Sequence, residues 1–311
     1  AISRGMSDQA RIFDRTAVRR HRDRAAPLWH QHDFLAREVG SRLQDRLREI
    51  KRGFPMVLDL GCHGGELAAS LRGEKGIETL VQCDLSPEMA RRAAANGCAT
   101  LVADEEVLPF RAASFDLALS CLSLHWVNDL PGALLQVRQA LKPDGLFLAA
   151  IFGGDCLHEL RVALMEAEVA VTGGLSPRVS PFAQTPDAGG LLQRAGFALP
   201  VVDVDEIVVT YADPIAAMRD LRGMGEANAV ETRRREPMAR AILAKAVEIH
   251  GQRFAAADGR VPVTFEVLYL TGWAPHADQP RPLAPGSASA RLADALGGKE
   301  HSAGDRARPR R

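Results

Sequence analysis

The sequence predicts an α/β fold in which helices cover both faces of a seven-stranded, mostly parallel sheet. Short apolar runs typical of buried strands alternate with helix signals along most of the 311 residues. This alternation favours a parallel, doubly wound sheet, because each strand returns to the sheet through a helix. One such run, Met56–Leu60, ends in small residues and leads directly into a helix start. Sheets of this class bind their ligands at such a corner.

The strands are predicted from apolar runs that turn residues interrupt. Asp84 closes the second run, and Pro143-Asp144-Gly145 separates the fifth from the helix before it. A long interruption after residue 152 comes before the last two runs. In chain order, the predicted strands are residues 56–60, 79–84, 100–104, 115–122, 146–152, 204–211 and 265–273.

Helices are predicted where apolar residues recur at helical spacing or where a capping residue begins the segment. Phe34, Val39 and Leu43 have this spacing before the first strand. Ser86 followed by Pro87 is typical of an N-cap and a first helical residue. The predicted helices are residues 34–50, 66–71, 129–141, 157–171, 187–195, 214–222 and 237–250, with one more starting at Ser86.

The chain is predicted to have three parts. Residues 1–52 form an N-terminal basic helical arm, since residues 11–24 contain six arginines and two acids. We interpret its basic stretch as a solvated helix face, with contact to an anionic ligand or a partner as the alternative. Residues 53–274 hold the sheet, with a lid insert at residues 155–197. Residues 275–311 are rich in Pro, Ala, Gly and Arg and are expected to form a mobile tail.

Composition excludes several classes of protein. Lys+Arg and Asp+Glu both total 39, and this balance argues against general nucleic-acid binding. No uncharged apolar run is long enough for a membrane span, and no secretory signal is recognisable. The five cysteines form no C-x-x-C pair, and no regularly spaced group of metal ligands stands out. A cytoplasmic protein without a metal site is therefore expected.

The residues after the first strand read Asp59-Leu60-Gly61-Cys62-His63-Gly64-Gly65. Glycine lets a backbone approach a ligand closely, and the following helix start offers N–H groups to an anion. A nicotinamide dinucleotide fits poorly, because His63 and Glu66 replace two glycines of its G-x-G-x-x-G fingerprint. The frame D-x-G-x-G-x-G fits with one exception, at His63. It resembles motif I of the class I S-adenosylmethionine (SAM) methyltransferases, although an ordinary strand-loop-helix corner is the alternative.

This resemblance implies a Rossmann-like class I SAM-methyltransferase fold with the cofactor at the carboxyl edge of the sheet. Asp84 lies where a carboxylate can accept both ribose hydroxyls, and Asp104 or Glu105 suits the adenine amino group. Asp59 either orients the glycine loop or meets the methionine amino group. The expected cofactor contacts are Asp59, Gly61, His63, Gly65, Asp84, Leu85, Asp104, Glu105, Ser120 and Cys121.

Two side chains are candidates for the chemistry itself. His125 follows the fourth strand and could act as a base near neutral pH, or could equally orient its neighbours. Glu226 lies in a glycine-flanked loop, as does Asp155. We predict that residues 155–182 and the loop at residues 223–228 form a mouth for an arginine-bearing protein segment, because a carboxylate can hold a guanidinium group through two parallel hydrogen bonds. The alternative is that both are solvated loop acids.

The sequence also contains several longer motifs, among them Ile12-Phe13-Asp14-Arg15, Leu122-Ser123-Leu124-His125-Trp126-Val127-Asn128-Asp129, Phe152-Gly153-Gly154-Asp155 and Gly223-Met224-Gly225-Glu226. These motifs resemble one family, the mitochondrial complex I assembly-factor hydroxylases and their alphaproteobacterial relatives. The resemblance covers roughly residues 12–273, and it extends more distantly to the malonyl-carrier-protein methyltransferases of biotin synthesis.

The family resemblance implies SAM binding and hydroxylation of an arginine in a complex I subunit. The residues alone favour methyl transfer, because no iron triad or flavin motif is present and methyl transfer needs only positioned reactants and, for a protonated acceptor, a base. Both products therefore stay open at this point. The alternatives are a SAM-dependent methyltransferase acting on a carboxylate or a carrier-protein-bound substrate, and a SAM-binding assembly chaperone without turnover.

Overall fold

The computed structural model describes residues 11–280, 294, 297 and 298. Short 3-10 turns at Ala26–Gln31, Ala94–Asn96 and Leu124–Trp126 join longer elements. The α-helices are α1 (Arg15–Ala25), α2 (Phe34–Glu49), α3 (Glu66–Ser70), α4 (Pro87–Ala93), α5 (Leu130–Ala140), α6 (His158–Thr172), α7 (Thr185–Arg194), α8 (Pro214–Gly223) and α9 (Arg240–Phe254). The strands are β1 (Met56–Leu60), β2 (Thr79–Asp84), β3 (Ala99–Val102), β4 (Phe115–Cys121), β5 (Leu141–Phe152), β6 (Ala198–Tyr211) and β7 (Val261–Trp273).

The seven strands form one sheet in the order β3-β2-β1-β4-β5-β7-β6. The first five strands are parallel, whereas β7 pairs antiparallel with both β5 and β6. Two apolar clusters cover the two faces of the sheet, one on the side of α2, α6 and α9 and one on the side of α5 and α7. The predicted Rossmann-like, mostly parallel seven-stranded fold is confirmed. From β1 the chain adds β2 and β3 on one side and then returns to add β4 on the other, so the carboxyl ends of β1 and β4 border the crevice in which such sheets bind ligands.

The predicted lid insert is shorter than residues 155–197. Helix α7 buries Ala188 and Leu192 in the apolar cluster on its face of the sheet. It therefore serves as an ordinary covering helix before β6. The segment that departs from the α/β alternation consists of α6 and the loop at residues 173–184. The last two strands are also longer than predicted. Both begin several residues earlier, because β6 and β7 pair with each other from Ala198 to Tyr211 and from Val261 to Trp273.

The basic stretch near the N terminus is solvated on one side, as the sequence favoured, and buried on the other. Arg19, Arg20 and Arg24 are exposed, whereas Arg22 is buried. Asp14 caps α1 through the backbone N–H of Ala17, and the helix buries Val18 and Arg22 on one side. This side of α1 packs close to α4 and α8. Among the described residues, 11–275 cluster as one compact unit, and most of the predicted tail, residues 275–311, lies outside the described residues. Within the described part of the chain, no helix combines the length and apolarity needed to cross a bilayer.

Candidate functional site

The glycine loop after β1 is closed by backbone bonds and by tight packing. Gly61 (φ +70°) and Gly65 (φ +84°) adopt left-handed conformations, which glycine tolerates without strain. A Cβ atom on Gly61 would lie 2.0 Å from the Ser123 hydroxyl oxygen, so no larger residue fits there. The N–H groups of Gly61 and Cys62 both donate to the carbonyl oxygen of Cys83, which holds the loop against β2.

His63 replaces a glycine in this loop and also adopts a left-handed conformation, with φ +48°. Its ring stacks on Trp29, with centroids 5.1 Å apart and planes 11° from parallel. Its Nε2 lies 3.1 Å from the carbonyl oxygens of Cys121 and Leu122, so it carries the proton and donates to them. The imidazole therefore bridges the ends of β1 and β4, where the cofactor is expected.

We expect His63→Gly to keep or tighten SAM affinity while lowering the stability of the ligand-free protein. The change clears the ring from the loop and removes the left-handed strain of a residue with a Cβ. It also removes the Trp29 contact and the bonds to β4, a net loss of about 1–3 kcal/mol. Calorimetric titration and thermal unfolding would measure both effects, with His63→Asn as a control. A collapse of affinity in a folded His63→Gly protein would show that the ring contacts the cofactor.

Asp84, the expected ribose acid, ends β2 and is fully buried. Its carboxylate accepts bonds from the backbone N–H groups of His63 (3.1 Å) and Ser86 (2.8 Å). The guanidinium of Arg22 donates to both carboxylate oxygens at 3.3 Å, and Arg22 is only 1% exposed. Burial opposes the charged form of Arg22, but Asp84 and Glu105 raise its pKa above the usual value. The acid expected to bind ribose is therefore paired with an internal cation.

The expected adenine acids are also paired. Asp104 accepts a bond from Arg15 at 2.6 Å, and the same arginine contacts Glu105. Glu105 further accepts bonds from Ser123 (2.6 Å) and Arg22 (3.1 Å). Burial would raise the pKa of Glu105, but the two arginines lower it to about 2. Both carboxylates thus have charged partners within the chain.

Asp59 is the one expected contact whose carboxylate has no partner among the described residues. Both of its oxygens are buried without a hydrogen bond. Burial raises its pKa to about 7, and Glu66 and Asp84 add to the shift. Asp59 lines a cavity of about 10 Å³ beside Gly61 and His63, which is at most the room of a single water molecule. An unpaired carboxylate beside the glycine loop suits the ammonium group of an amino-acid ligand.

The hydrogen-bond acceptors at this edge of the sheet fit SAM, but other side chains of the protein already contact them. Asp84 can accept the ribose hydroxyls and Asp59 can accept the amino group. Arg22 already holds Asp84, and the His63 ring lies beside the glycine loop. The cavity beside Asp59 is about 10 Å³, so side chains at this edge must move before SAM can occupy it.

We expect Asp59→Asn to stabilise the ligand-free protein at alkaline pH. Because the pKa of Asp59 rises from 3.8 to about 7 on folding, the folded state keeps a proton that the unfolded state has released in that range. The contribution of Asp59 to stability is therefore lost as the pH rises from about 4 to about 7. Thermal unfolding should show a higher midpoint for Asp59→Asn at about pH 8 and little difference near pH 4. The exposed Asp45→Asn is the control, and equal midpoints at alkaline pH would contradict the assignment.

The remaining expected contacts lie within the packed edge of the sheet. Ser120 is fully buried, and its hydroxyl has no partner among the described residues. The Cys121 thiol donates weakly to the Ala36 carbonyl oxygen at 3.6 Å, and burial raises its pKa. Leu85 packs against a small apolar cluster that includes Phe13 and Trp126. These residues shape the walls of the crevice.

His125 and Glu226, which are 101 residues apart in the chain, meet in the structure. His125 Nε2 lies 3.0 Å from Glu226 Oε2, and Trp126 Nε1 donates to the same oxygen at 2.8 Å. Burial lowers the pKa of His125, so the ring is neutral and its Nε2–H donates. Burial opposes the charged form of Glu226, but His125 and Arg22 lower its pKa below the usual value, so the carboxylate is ionised.

The second Glu226 oxygen, Oε1, has no hydrogen-bond partner among the described residues, and Glu226 lines a cavity of about 340 Å³. His125 does not line that cavity, and its side chain is only 1% exposed. Of the two roles that the sequence left open for His125, the structure favours orienting Glu226. Residues of the predicted insert 155–182 and of the loop 223–228 line this cavity together, but Asp155 is exposed and lies outside it, so Glu226 is the only one of the two predicted acids there. Apolar residues form most of the wall, including Leu157, Leu160, Leu164, Phe182, Met218 and Leu221.

The sequence analysis missed the roles of Arg15, Arg22 and Trp29. A signal was present, since Arg15, Val18, Arg22 and Ala25 recur at the spacing of one helix face. Two buried apolar residues on the same face as two arginines indicate that the arginines point inward as well. Trp29 donates to Glu66 at 2.8 Å and stacks on His63, so it holds the glycine loop from outside.

Fold and site together define a SAM-dependent protein of the methyltransferase fold. Residues 58–149 match the family described as "Methyltransferase domain". The structure also resembles a protein described as a methyltransferase from Bacillus halodurans, with a TM-score of 0.53 and 18% identity over 76% of this chain and 99% of that one. That likeness concerns the fold.

Comparison with proteins of similar sequence identifies the family more narrowly than the fold does. Arginine-hydroxylase NDUFAF5, mitochondrial, of Danio rerio is 43% identical over 287 residues, which are 91% of this chain and 89% of that protein. The chain belongs to the arginine-hydroxylase NDUFAF5 family. A malonyl-[acyl-carrier protein] O-methyltransferase of Methylovorus is 35% identical over 88% of this chain and 93% of its own length. The family resemblance and the SAM cofactor that the sequence predicted are thereby confirmed.

The predicted cytoplasmic location is wrong. The NDUFAF5 relative carries the word mitochondrial in its name, and this finding overturns the expectation. That expectation depended on unpaired cysteines and on the lack of a recognisable secretory signal. Free thiols indicate a reducing environment and do not identify the compartment.

Proposed function

We propose that this protein binds SAM and hydroxylates an arginine side chain of a protein partner, a subunit of respiratory complex I during its assembly. The observation that carries the proposal is the ionised carboxylate of Glu226 in an apolar cavity. Glu226 lines the cavity, one of its oxygens is held by His125 and Trp126, and the other has no hydrogen-bond partner among the described residues. The arginine-hydroxylase relatives support the same substrate and the same product.

The cavity suits an arginine side chain at both of its ends. Leucine, methionine and phenylalanine side chains form walls against which the aliphatic stem of an arginine can pack. Guanidinium is planar, always charged and weakly hydrated, so a buried carboxylate binds it better than it binds an ammonium group. Because His125 and Trp126 hold one oxygen of Glu226, the carboxylate has a fixed orientation and needs no rearrangement to bind a guanidinium group.

The cavity also lies next to the crevice at the end of β1 and β4. Arg22, which holds Asp84, interacts electrostatically with Glu226 as well. His63, at the glycine loop, interacts with both His125 and Glu226. A target group on Glu226 would therefore lie beside the expected cofactor position.

Methyl transfer is the second candidate. Bound SAM carries an electrophilic methyl group, and the fold is that of methyltransferases. The carboxylate-methylating relative supports this chemistry on a different acceptor. The ionised Glu226 in the cavity disfavours a carboxylate acceptor, because two like charges would meet in a poorly solvated space.

Mass spectrometry separates these candidates. The full-length protein, SAM, an electron donor and air would be incubated with the candidate complex I subunit, and the modified residue would be mapped. An added oxygen atom on arginine is the expected result. An added methyl group on arginine would establish methyl transfer, and a methyl ester on a carboxylate would establish the carrier-protein type of reaction. Tight binding of an unmodified partner would instead establish a chaperone without turnover.

A further inference from the structure

Two arginines border the Glu226 cavity without a carboxylate partner in the described residues. Arg24 lies in the last turn of α1 and Arg222 in the last turn of α8, and both are exposed. A cation near a helix C terminus interacts favourably with the helix dipole, which accounts for each residue separately. The helix dipoles do not explain why Arg24 and Arg222 lie at the same cavity, since their two positive charges repel each other. Partial burial and, after it, the charge of Arg222 lower the pKa of Arg24.

The neighbouring arginines differ in this respect. Arg178 also lines the cavity, but it forms an ion pair with Glu168 at 2.6 Å. Arg233 lines an adjoining groove and pairs with Asp14 at 3.0 Å. Of the arginines that line the Glu226 cavity itself, Arg24 and Arg222 are therefore the two without a carboxylate partner among the described residues.

This arrangement creates a problem for a cationic substrate. A guanidinium group that enters the cavity is attracted by Glu226 and repelled by two uncompensated cations at the border. Each of these cations opposes the entry of a guanidinium group, because like charges repel each other even in the high dielectric of a solvent-exposed site. The conflict disappears if the chain that carries the arginine also brings negative charge to the border.

We infer that Arg24 and Arg222 form a subsite for carboxylate side chains next to the target arginine, so that the substrate is an arginine within an acidic segment. This inference rests on the proposed function and specifies its substrate. The target guanidinium binds Glu226 inside the cavity, while flanking Asp or Glu side chains bind the two border arginines. A segment with neutral or basic residues around its arginine binds more weakly, so this border selects among arginines of the partner.

Fluorescence anisotropy with labelled synthetic peptides tests the subsite directly. One peptide carries a single arginine flanked by aspartates in a Gly/Ser background, and the second carries asparagines at the flanking positions. We expect the intact protein with SAM to bind the acidic peptide about tenfold more tightly at low salt. The preference should shrink as salt is added, because exposed charges are screened.

The double variant Arg24→Gln, Arg222→Gln should lose the preference, while Arg219→Gln, on the same helix as Arg222 but outside the cavity, should keep it. Equal binding of the two peptides, absence of binding of the acidic peptide, or a preference that survives in the double variant would overturn the inference. A third peptide, with citrulline in place of arginine, tests the proposed function separately. If it binds as tightly as the acidic arginine peptide, Glu226 does not select guanidinium, although the acidic subsite stands.

Discussion

Replacing Glu226 by glutamine should reduce modification of the partner arginine by about ten- to a hundredfold while leaving SAM affinity unchanged. A hydrogen bond between charged groups contributes about 1.5–3 kcal/mol, and the substitution removes the charge from the acceptor. The glutamine carbonyl oxygen can still accept from His125 and Trp126, so the loop should stay in place. Quantitative mass spectrometry of the partner measures the first effect, and calorimetric titration with SAM measures the second.

Asp155→Asn is the matched control. Asp155 also lies in a glycine-flanked loop, but the structure leaves it exposed and outside the cavity. Its substitution should leave modification of the partner nearly unchanged. Full activity of Glu226→Gln would remove Glu226 from the arginine site, and equal losses in both variants would indicate a looser mouth that includes both loops.

Replacing Asp84 by alanine should abolish measurable SAM binding and also destabilise the protein. The ribose hydroxyls lose their charged acceptor, which weakens binding about a hundredfold or more if two bonds are lost. Arg22 loses one of its two carboxylate partners while it stays fully buried. Breaking a buried ion pair from one side costs about 3–5 kcal/mol, so the single variant risks unfolding.

The variant Arg22→Met separates these two effects. Methionine fills the space of the arginine stem and frees Asp84, so we expect tighter SAM binding together with a lower melting temperature of the ligand-free protein. The double variant Asp84→Ala, Arg22→Met should recover part of the stability lost in Asp84→Ala, because no unpaired cation is left beside residue 84. It should still fail to bind SAM in a calorimetric titration. Intact affinity in this folded double variant would remove Asp84 from the ribose site.

Much of the fold could be predicted because its signals are local. Strand β1 and the glycine loop after it are apolar and small-residue runs, and Ser86 with Pro87 begins α4 as predicted. Helix α7 was predicted to belong to the lid because the sequence of a helix does not show which part of the protein it packs against. In the structure, Ala188 and Leu192 are buried against one face of the sheet that β6 and β7 complete.

The sequence by itself determined the class of fold, the acids at the strand ends and the family, because these depend on residue types at short, regular spacings. Only the tertiary structure showed that Arg22 holds Asp84, that His125 lies behind Glu226 and that Arg24 and Arg222 border one cavity. These contacts join residues between 62 and 198 positions apart in the chain, and no local pattern encodes them. A buried charge must find a partner, and which partner it finds depends on how α1, α8 and the sheet edge pack together.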